Sequence, residues 1–137
     1  MHQSIREAMT PSPTTVAPGT TAEEAARKMS SEDVGSLPIV EGDRLVGVVT
    51  DRDLAIRVLA EGRGAHTTVG EIASKNVVTI DPHQSLEEAA RLMAEHQIRR
   101  LPVIEEDGKL VGILAQADVA QSGHDLLTGE VVQQISR

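Results

Sequence analysis

The sequence contains no cysteine, which excludes both a disulfide framework and a thiolate metal site. Phenylalanine, tyrosine and tryptophan are absent too. A core must therefore be assembled from Val, Leu, Ile, Ala and Met, and no bound ring can stack on an aromatic side chain. No apolar run approaches the roughly 20 residues of a membrane-spanning helix. Met1-His2-Gln3-Ser4 lacks a signal-peptide pattern, so a soluble cytoplasmic protein is expected. Positive charge is scarce: 13 Lys and Arg stand against 21 Asp and Glu, a formal net charge of -8. That balance disfavours nonspecific binding to nucleic acid or to an anionic membrane. The five histidines, at positions 2, 66, 83, 96 and 124, show no zinc spacing, and no metal site is expected.

What is present is a duplication. Moving the sequence along itself by 64 positions lays Thr15 on Thr79, Pro18 on Pro82 and Glu23-Glu24-Ala25-Ala26-Arg27 on Glu87-Glu88-Ala89-Ala90-Arg91. Met29 falls on Met93 and Leu37-Pro38 on Leu101-Pro102. One extra residue enters at Glu105-Glu106-Asp107-Gly108, after which Leu45-Val46-Gly47 matches Leu110-Val111-Gly112 and Asp53 matches Asp118. The boundaries read as repeat 1 over 4–60, a linker over 61–67, repeat 2 over 68–121 and a tail over 122–137. Either half alone buries little surface, so two halves sharing one core are expected.

Each repeat predicts the same order of elements: helix, strand, helix, strand, strand, helix. Ser4-x-x-Glu7 and Thr68-x-x-Glu71 have the form of capping boxes that open short leading helices. Thr14–Ala17 and Val77–Ile80 are β-prone runs ended by proline. Thr20-x-x-Glu23 and Ser85-x-x-Glu88 read as further boxes, opening helices through Met29 and Met93 with Ala22, Ala25, Ala26 and Met29 on one face. Hairpins follow, Leu37–Val40 with Leu45–Val49 and Leu101–Ile104 with Leu110–Leu114, then closing helices over Asp51–Ala60 and Gln116–Gln121. The fold class is α+β (α/β), each repeat a three-stranded sheet with two helices on one face. The bare faces are left to pack sheet to sheet. In the tail, Val131, Val132 and Ile135 at helical spacing predict a short amphipathic helix within Thr128–Arg137.

The chemistry concentrates where a strand runs into a helix, at Gly47-Val48-Val49-Thr50-Asp51-Arg52-Asp53. Free N–H groups at the helix start suit a phosphate, Thr50 adds a hydroxyl donor, and the two carboxylate oxygens of Asp53 suit the paired hydroxyls of a ribose. Thr50-x-x-Asp53 is equally an ordinary capping box, useful to any helix. The second copy, Gly112-Ile113-Leu114-Ala115-Gln116-Ala117-Asp118, keeps the carboxylate but has Ala115 in place of the hydroxyl. Arg99 and Arg100 precede Leu101-Pro102, where the first copy has Gly35 and Ser36. These arginines read either as anion-seeking groups or as a solvated turn paired with Glu105, Glu106 or Asp107. Gly62-Arg63-Gly64 lacks a phosphate-loop context, and the Glu23-Glu24 and Glu87-Glu88 pairs suit helix N-termini rather than acid–base work.

The segments Val34-Gly35-Ser36-Leu37-Pro38-Ile39-Val40 and Leu45-Val46-Gly47-Val48-Val49-Thr50-Asp51-Arg52-Asp53 resemble the CBS domain. So do Ile98-Arg99-Arg100-Leu101-Pro102-Val103-Ile104 and Leu110-Val111-Gly112-Ile113 in the second copy. The resemblance covers nearly the whole chain. Thr50–Asp53 and Glu95–Ile104 look most like short bacterial stand-alone pairs of the hypoxic-response-protein type. It implies a Bateman module, two repeats about a pseudo-twofold axis, with adenosine-containing ligands held in the clefts between them. By the same resemblance Thr50, Arg52 and Asp53 face Val77, Val78, Ile98, Arg99, Arg100 and Pro102 in one cleft. A second, weaker cleft would gather Ala115 and Asp118 with Thr14, Val34, Gly35 and Ser36. Every phosphate-seeking group falls in the first.

The expected function is a regulatory module that binds an adenine nucleotide, needs no cofactor and signals to a separate protein partner. A ligand-free structural or interaction pair is the alternative. No nucleophile–base pair marks an enzyme. Aliphatic faces on the closing helices, with Leu54, Val58 and Leu59, point to a homodimer.

Overall fold

A computed structural model of the chain describes residues 4–122. The predicted helix in Thr128–Arg137 lies outside the described residues, as does nearly all of the tail. In chain order the elements are α1 (Ile5–Ala8), β1 (Thr10–Pro11), α2 (Ala22–Glu32), β2 (Ser36–Glu41), β3 (Arg44–Thr50) and α3 (Asp51–Asp53). α3 continues as a π-helical stretch over Leu54–Leu59. Then come α4 (Val69–Ile72), α5 (Leu86–His96), β4 (Arg100–Ile104), β5 (Leu110–Ala115) and α6 (Gln116–Ser122). The α+β class read from the sequence holds.

Short local devices start the helices. Ser4, Thr21, Thr50, Thr68 and Ser85 each begin a helix with a carboxylate three residues on folding back to the cap backbone. One expectation is corrected: α2 is opened by Thr21 with Glu24, not by Thr20 with Glu23. The Thr20 hydroxyl instead accepts from the Ala17 N–H at 3.1 Å. The box glutamates Glu7, Glu24, Glu71 and Glu88 are held below the ordinary carboxylate range. For Glu7, Glu24 and Glu71 the main cause is the backbone N–H of the cap, and for Glu88 it is the side chain of Gln84. α2 and α5 end alike, with Asp33 and Gln97 in the left-handed region and the N–H of Val34 and Ile98 closing back on the carbonyls of Met29 and Met93 at 3.0 Å. That is the Schellman geometry.

Prolines limit the strands. The runs predicted over Thr14–Ala17 and Val77–Ile80 contract to single parallel bridges, Val16 to Ile39 and Ile80 to Val103. Val16 donates to the Pro38 carbonyl and accepts from Val40. The next bonds of a parallel ladder would need the N–H of Pro38 on one side and of Pro18 on the other, and neither exists. Pro102 and Pro82 do the same around Ile80, which donates to Pro102 and accepts from Ile104. The hairpins form as expected, with Ser36 opposite Thr50 and Arg100 opposite Ala115. Gly42 and Gly108 take positive φ in their turns, where a Cβ would be strained.

The chain divides into two compact units, and these differ from the repeats as aligned in sequence. One is Thr14–Val77; the other joins the described residues of Met1–Pro13 to those of Val78–Arg137. Each body therefore carries the leading helix of the other repeat. In Thr14–Val77, Val69 and Ile72 of α4 are buried with Val16, Ala22, Ala25, Met29, Leu37, Ile39, Val49 and Val58. In the second unit, Ile5 of α1 is buried with Ile80, Leu86, Ala89, Ala90, Met93, Leu101, Val103, Leu114 and Val119. A single shared core was expected; each unit has a buried cluster of its own. Ala26, expected on the core face of α2, is exposed, while its counterpart Ala90 is buried.

The exchange explains two glycines. β1 pairs with β5, setting Thr10 opposite Ile113 and Pro11 opposite Gly112. A Cβ on Gly112 would lie 2.4 Å from Met9 Sδ and 2.9 Å from the Thr10 carbonyl oxygen. In the other unit Ser74 bridges Val48, and a Cβ on Gly47 would lie 3.0 Å from the Ser74 carbonyl oxygen. Each leading segment crosses the hairpin at the one strand residue with no side chain. The linker is tied down as well: the Thr67 and Ala65 carbonyls accept from the Ala22 and Glu23 N–H groups at 2.7 and 3.0 Å. Those are first-turn donors of α2 that no intrahelical carbonyl can reach.

Candidate functional site

The junction of β3 and α3 holds the first candidate set. The Thr50 N–H donates to Asp53 Oδ2 at 2.8 Å, and the Asp53 N–H donates to Thr50 Oγ1 at 3.1 Å. The reciprocal box occupies one carboxylate oxygen and the acceptor side of the hydroxyl. The box itself makes no use of Asp53 Oδ1 or of the hydroxyl proton of Thr50. The sequence reading offered both oxygens of Asp53 to a ribose; the box commits Oδ2 first.

Gly35 and Ser36 lie at the same end of this unit. Ser36 is the strand partner of Thr50, and the Asp51 N–H donates to the Gly35 carbonyl at 2.9 Å. A Cβ on Gly35 would stand 3.1 Å from Asp51 Oδ2, so the bare position leaves room for that carboxylate. Val34 packs on the core, while the exposed Thr14 donates to Glu32 Oε1 at 3.1 Å. Val77 is half-buried.

The second unit repeats the junction with less chemistry. The Ala115 N–H donates to Asp118 Oδ2 at 2.8 Å, the same distance as in the first copy, with no hydroxyl to reciprocate. Arg100 is the strand partner of Ala115, and the Gln116 N–H donates to the Arg99 carbonyl at 2.7 Å. Pro102 is buried, Val78 and Ile98 are half-buried, and both arginine side chains are exposed.

Each predicted cleft thus draws residues from both units. Within a unit, the structure sets part of one predicted cleft beside part of the other: Thr50 and Asp53 beside Gly35 and Ser36, Ala115 and Asp118 beside Arg99 and Arg100. The alternative partners for the arginines are not taken up. Glu105 pairs with Arg6 at 2.8 Å, and among the described residues no carboxylate forms an ion pair with Arg52, Arg99 or Arg100.

The sequence reading passed over Arg57. It stands in the π-helical stretch, with Nε 3.7 Å from Asp53 Oδ1 and Nη1 donating to the Ile72 carbonyl at 2.9 Å. Its signal was an Asp–Arg pair at i, i+4.

Two hairpin bodies of the same plan, each closed by a carboxylate at a strand-to-helix junction, define a tandem-repeat module, and comparison with known proteins supplies its class. A family model of the CBS domain matches residues 5–60 and 69–125, and the chain belongs to that family. It is 46% identical over 117 residues to the CBS domain-containing protein YhcV of Bacillus subtilis, covering 85% of this chain and 83% of that one. Among solved structures, Hypoxic Response Protein I with two coordinated zinc ions matches at a TM-score of 0.81 and 40% identity, over 89% of this chain and 100% of that one. CBSX2 in complex with AMP matches at a TM-score of 0.75 and 30% identity, over 98% of each chain. The zinc belongs to that relative. Among the described residues here, no group of three or more His, Asp or Glu is placed to hold a metal ion.

Proposed function

We propose that the chain is a regulatory sensor that binds an adenosine-containing ligand, of the AMP, ADP or ATP kind, between its repeats. It would signal to a separate protein partner and catalyse nothing itself. The observation that carries this is the β3–α3 junction, where the box leaves Asp53 Oδ1 and the Thr50 proton unspent. In this reading the ribose lies on Asp53, the phosphates lie near Thr50, Arg52, Arg99 and Arg100, and aliphatic walls from Val77, Val78, Ile98 and Pro102 flank the base. The cleft with Ala115, Asp118, Thr14, Val34, Gly35 and Ser36 is the weaker one. A relative that binds AMP supports the ligand class.

A ligand-free structural or protein-interaction pair has one observation in its favour: the Thr50–Asp53 box is closed without any ligand. Thermal shift against AMP, ADP, ATP, NADH and S-adenosylmethionine separates the two, because a ligand that binds only the native state raises the midpoint. A midpoint unmoved by millimolar concentrations of all five decides for the second reading.

We also propose a cytoplasmic homodimer with no affinity for nucleic acid or membranes. Of the closing-helix residues named for the dimer face, Val58 is buried and Leu54 packs on the core. The exposed side chains are Leu59 at 76% and Ile56 at 48%. A monomer by light scattering at tens of micromolar, roughly, would exclude an interface of the approximately 1,000 Å² a specific contact needs.

A further inference from the structure

We infer that Arg57 is a positioning residue for Asp53, tying the ligand carboxylate to the last turn of α4. The inference rests on the reading that Asp53 receives the ribose. Three observations carry it. Nη1 donates to the Ile72 carbonyl at 2.9 Å, which anchors a long side chain at its far end. That carbonyl belongs to the last turn of a four-residue helix, where backbone acceptors lack intrahelical donors. Nε then stands 3.7 Å from Asp53 Oδ1, on a carboxylate only 14% exposed.

At that distance the contact is an ion pair rather than a hydrogen bond, so the lone pairs of Oδ1 stay open to an incoming hydroxyl. The carboxylate is thereby gripped from both sides: Oδ2 by the Thr50 N–H, Oδ1 by the field of a guanidinium that is itself fixed. Its orientation is set before ligand arrives, which lowers the ordering cost of binding. The sequence of the other repeat offers no arginine at the equivalent position. The position four residues after Asp118 is Ser122, and serine brings no guanidinium. α4 comes from the start of repeat 2, so the grip joins the ligand carboxylate of one repeat to the leading helix of the other.

The test is calorimetry of AMP and of adenosine with wild-type protein, Arg57→Met, Arg57→Lys and Glu24→Ala. Glu24 accepts from the Thr21 N–H at the start of α2, so E24A removes a cap in the same unit without touching α4 or Asp53. Half of the Arg57 side chain is exposed and screened, so the expected loss in R57M is modest, about three- to tenfold for each ligand. R57K should recover part of it. E24A should lower the melting point yet bind both ligands as wild type does.

Unchanged affinity in R57M overturns the inference, as does equal weakening in R57M and E24A, which would make the loss one of stability. A loss confined to AMP overturns it too, since that would make Arg57 a phosphate contact. If R57M does not fold, R57K decides by the same comparison of adenosine with AMP. Wild-type protein that binds neither compound overturns the ligand reading itself, and this inference with it.

Discussion

The junctions at Thr50–Asp53 and Ala115–Asp118 share one backbone device and differ in nearly everything around it. In both, an aspartate Oδ2 accepts from the N–H three residues before it, at 2.8 Å. Around the first lie a hydroxyl, a guanidinium and a strand partner, Ser36, with a small side chain; around the second lie Ala115, Ala117 and the strand partner Arg100. The carboxylate-to-backbone bond is present at both junctions, and the reciprocal bond to a hydroxyl at the first. Capping needs only a carboxylate and a backbone N–H, whereas a ligand needs donors and acceptors left over once capping is satisfied.

The largest expected effect separates those halves. Asp53→Ala should weaken AMP binding by about 1.5–3 kcal/mol, roughly 10- to 150-fold, through loss of charge-assisted hydrogen bonds. Asp118→Ala should leave AMP binding within about twofold. Both should lower stability by a similar amount, about 1 kcal/mol, because both remove a cap. Calorimetry with melting curves on the two variants reads both quantities, and loss of binding in D118A alone would place the ligand at the other junction.

The crossing glycines offer a second contrast. Gly112→Ala should cost about 1–3 kcal/mol of stability, as overpacking against Met9 and the Thr10 carbonyl must be relieved by movement. Gly47→Ala meets its nearest backbone oxygen at 3.0 Å rather than 2.9 Å and no methionine sulfur, so its cost should be smaller. Urea midpoints of the two variants measure the difference, and a larger loss in G47A would contradict the crossing geometry.

Ala115→Thr tries to complete the poorer junction. A hydroxyl there can accept from the Asp118 N–H, as Thr50 Oγ1 does from Asp53, and should stabilise by about 0.5–1 kcal/mol. The melting point should rise while AMP stoichiometry stays at one per chain. A second site appearing in A115T would show that the missing hydroxyl alone had silenced that junction.

The last effect is spread over both units. Glu7, Glu24 and Glu71 have folded-state pKa values depressed chiefly by the backbone N–H of their caps, and Glu88 chiefly by the Gln84 side chain and then by its cap. A depressed carboxylate contributes stability that is complete above its unfolded pKa and is lost as pH falls through the folded one. The melting point should thus fall as pH drops through and below the ordinary glutamate value of about 4.3. Glu24→Gln with Glu88→Gln should flatten that acid limb in a pH series of melting curves, since an amide does not titrate. An acid limb unchanged in the double variant would assign it to other groups.

Much of this was legible because it is local. A capping box spans three residues and a hairpin turn a few more, so cap, helix start and strand pairing follow from neighbours in sequence. Even the misplaced box at Thr20 had its remedy in the repeat, since the 64-residue shift lays Thr21, not Thr20, on Ser85. The contraction of the strands expected over Thr14–Ala17 and Val77–Ile80 was missed, although its signal was in the sequence: Pro18, Pro38, Pro82 and Pro102 lack the N–H groups that longer ladders would need. Arg57 was visible as an i, i+4 partner of Asp53, but its anchor at Ile72 lies 15 residues on and depends on where α4 packs.

By itself the sequence determined the duplication, the α+β order, the hairpins, most caps and the asymmetry between Thr50 and Ala115, all of which rest on residue identity and contacts a few positions apart. Tertiary structure alone decided which body each leading helix serves, and with it why Gly47 and Gly112 must be bare; it also decided that Ala90 is buried while Ala26 is not. The physical reason is that α1 and α4 are single turns with the same kind of cap and similar apolar side chains. Nothing local distinguishes the surface each must cover, and only the path of the chain through the folded molecule brings Ile5 to Val119 and Ile72 to Val58.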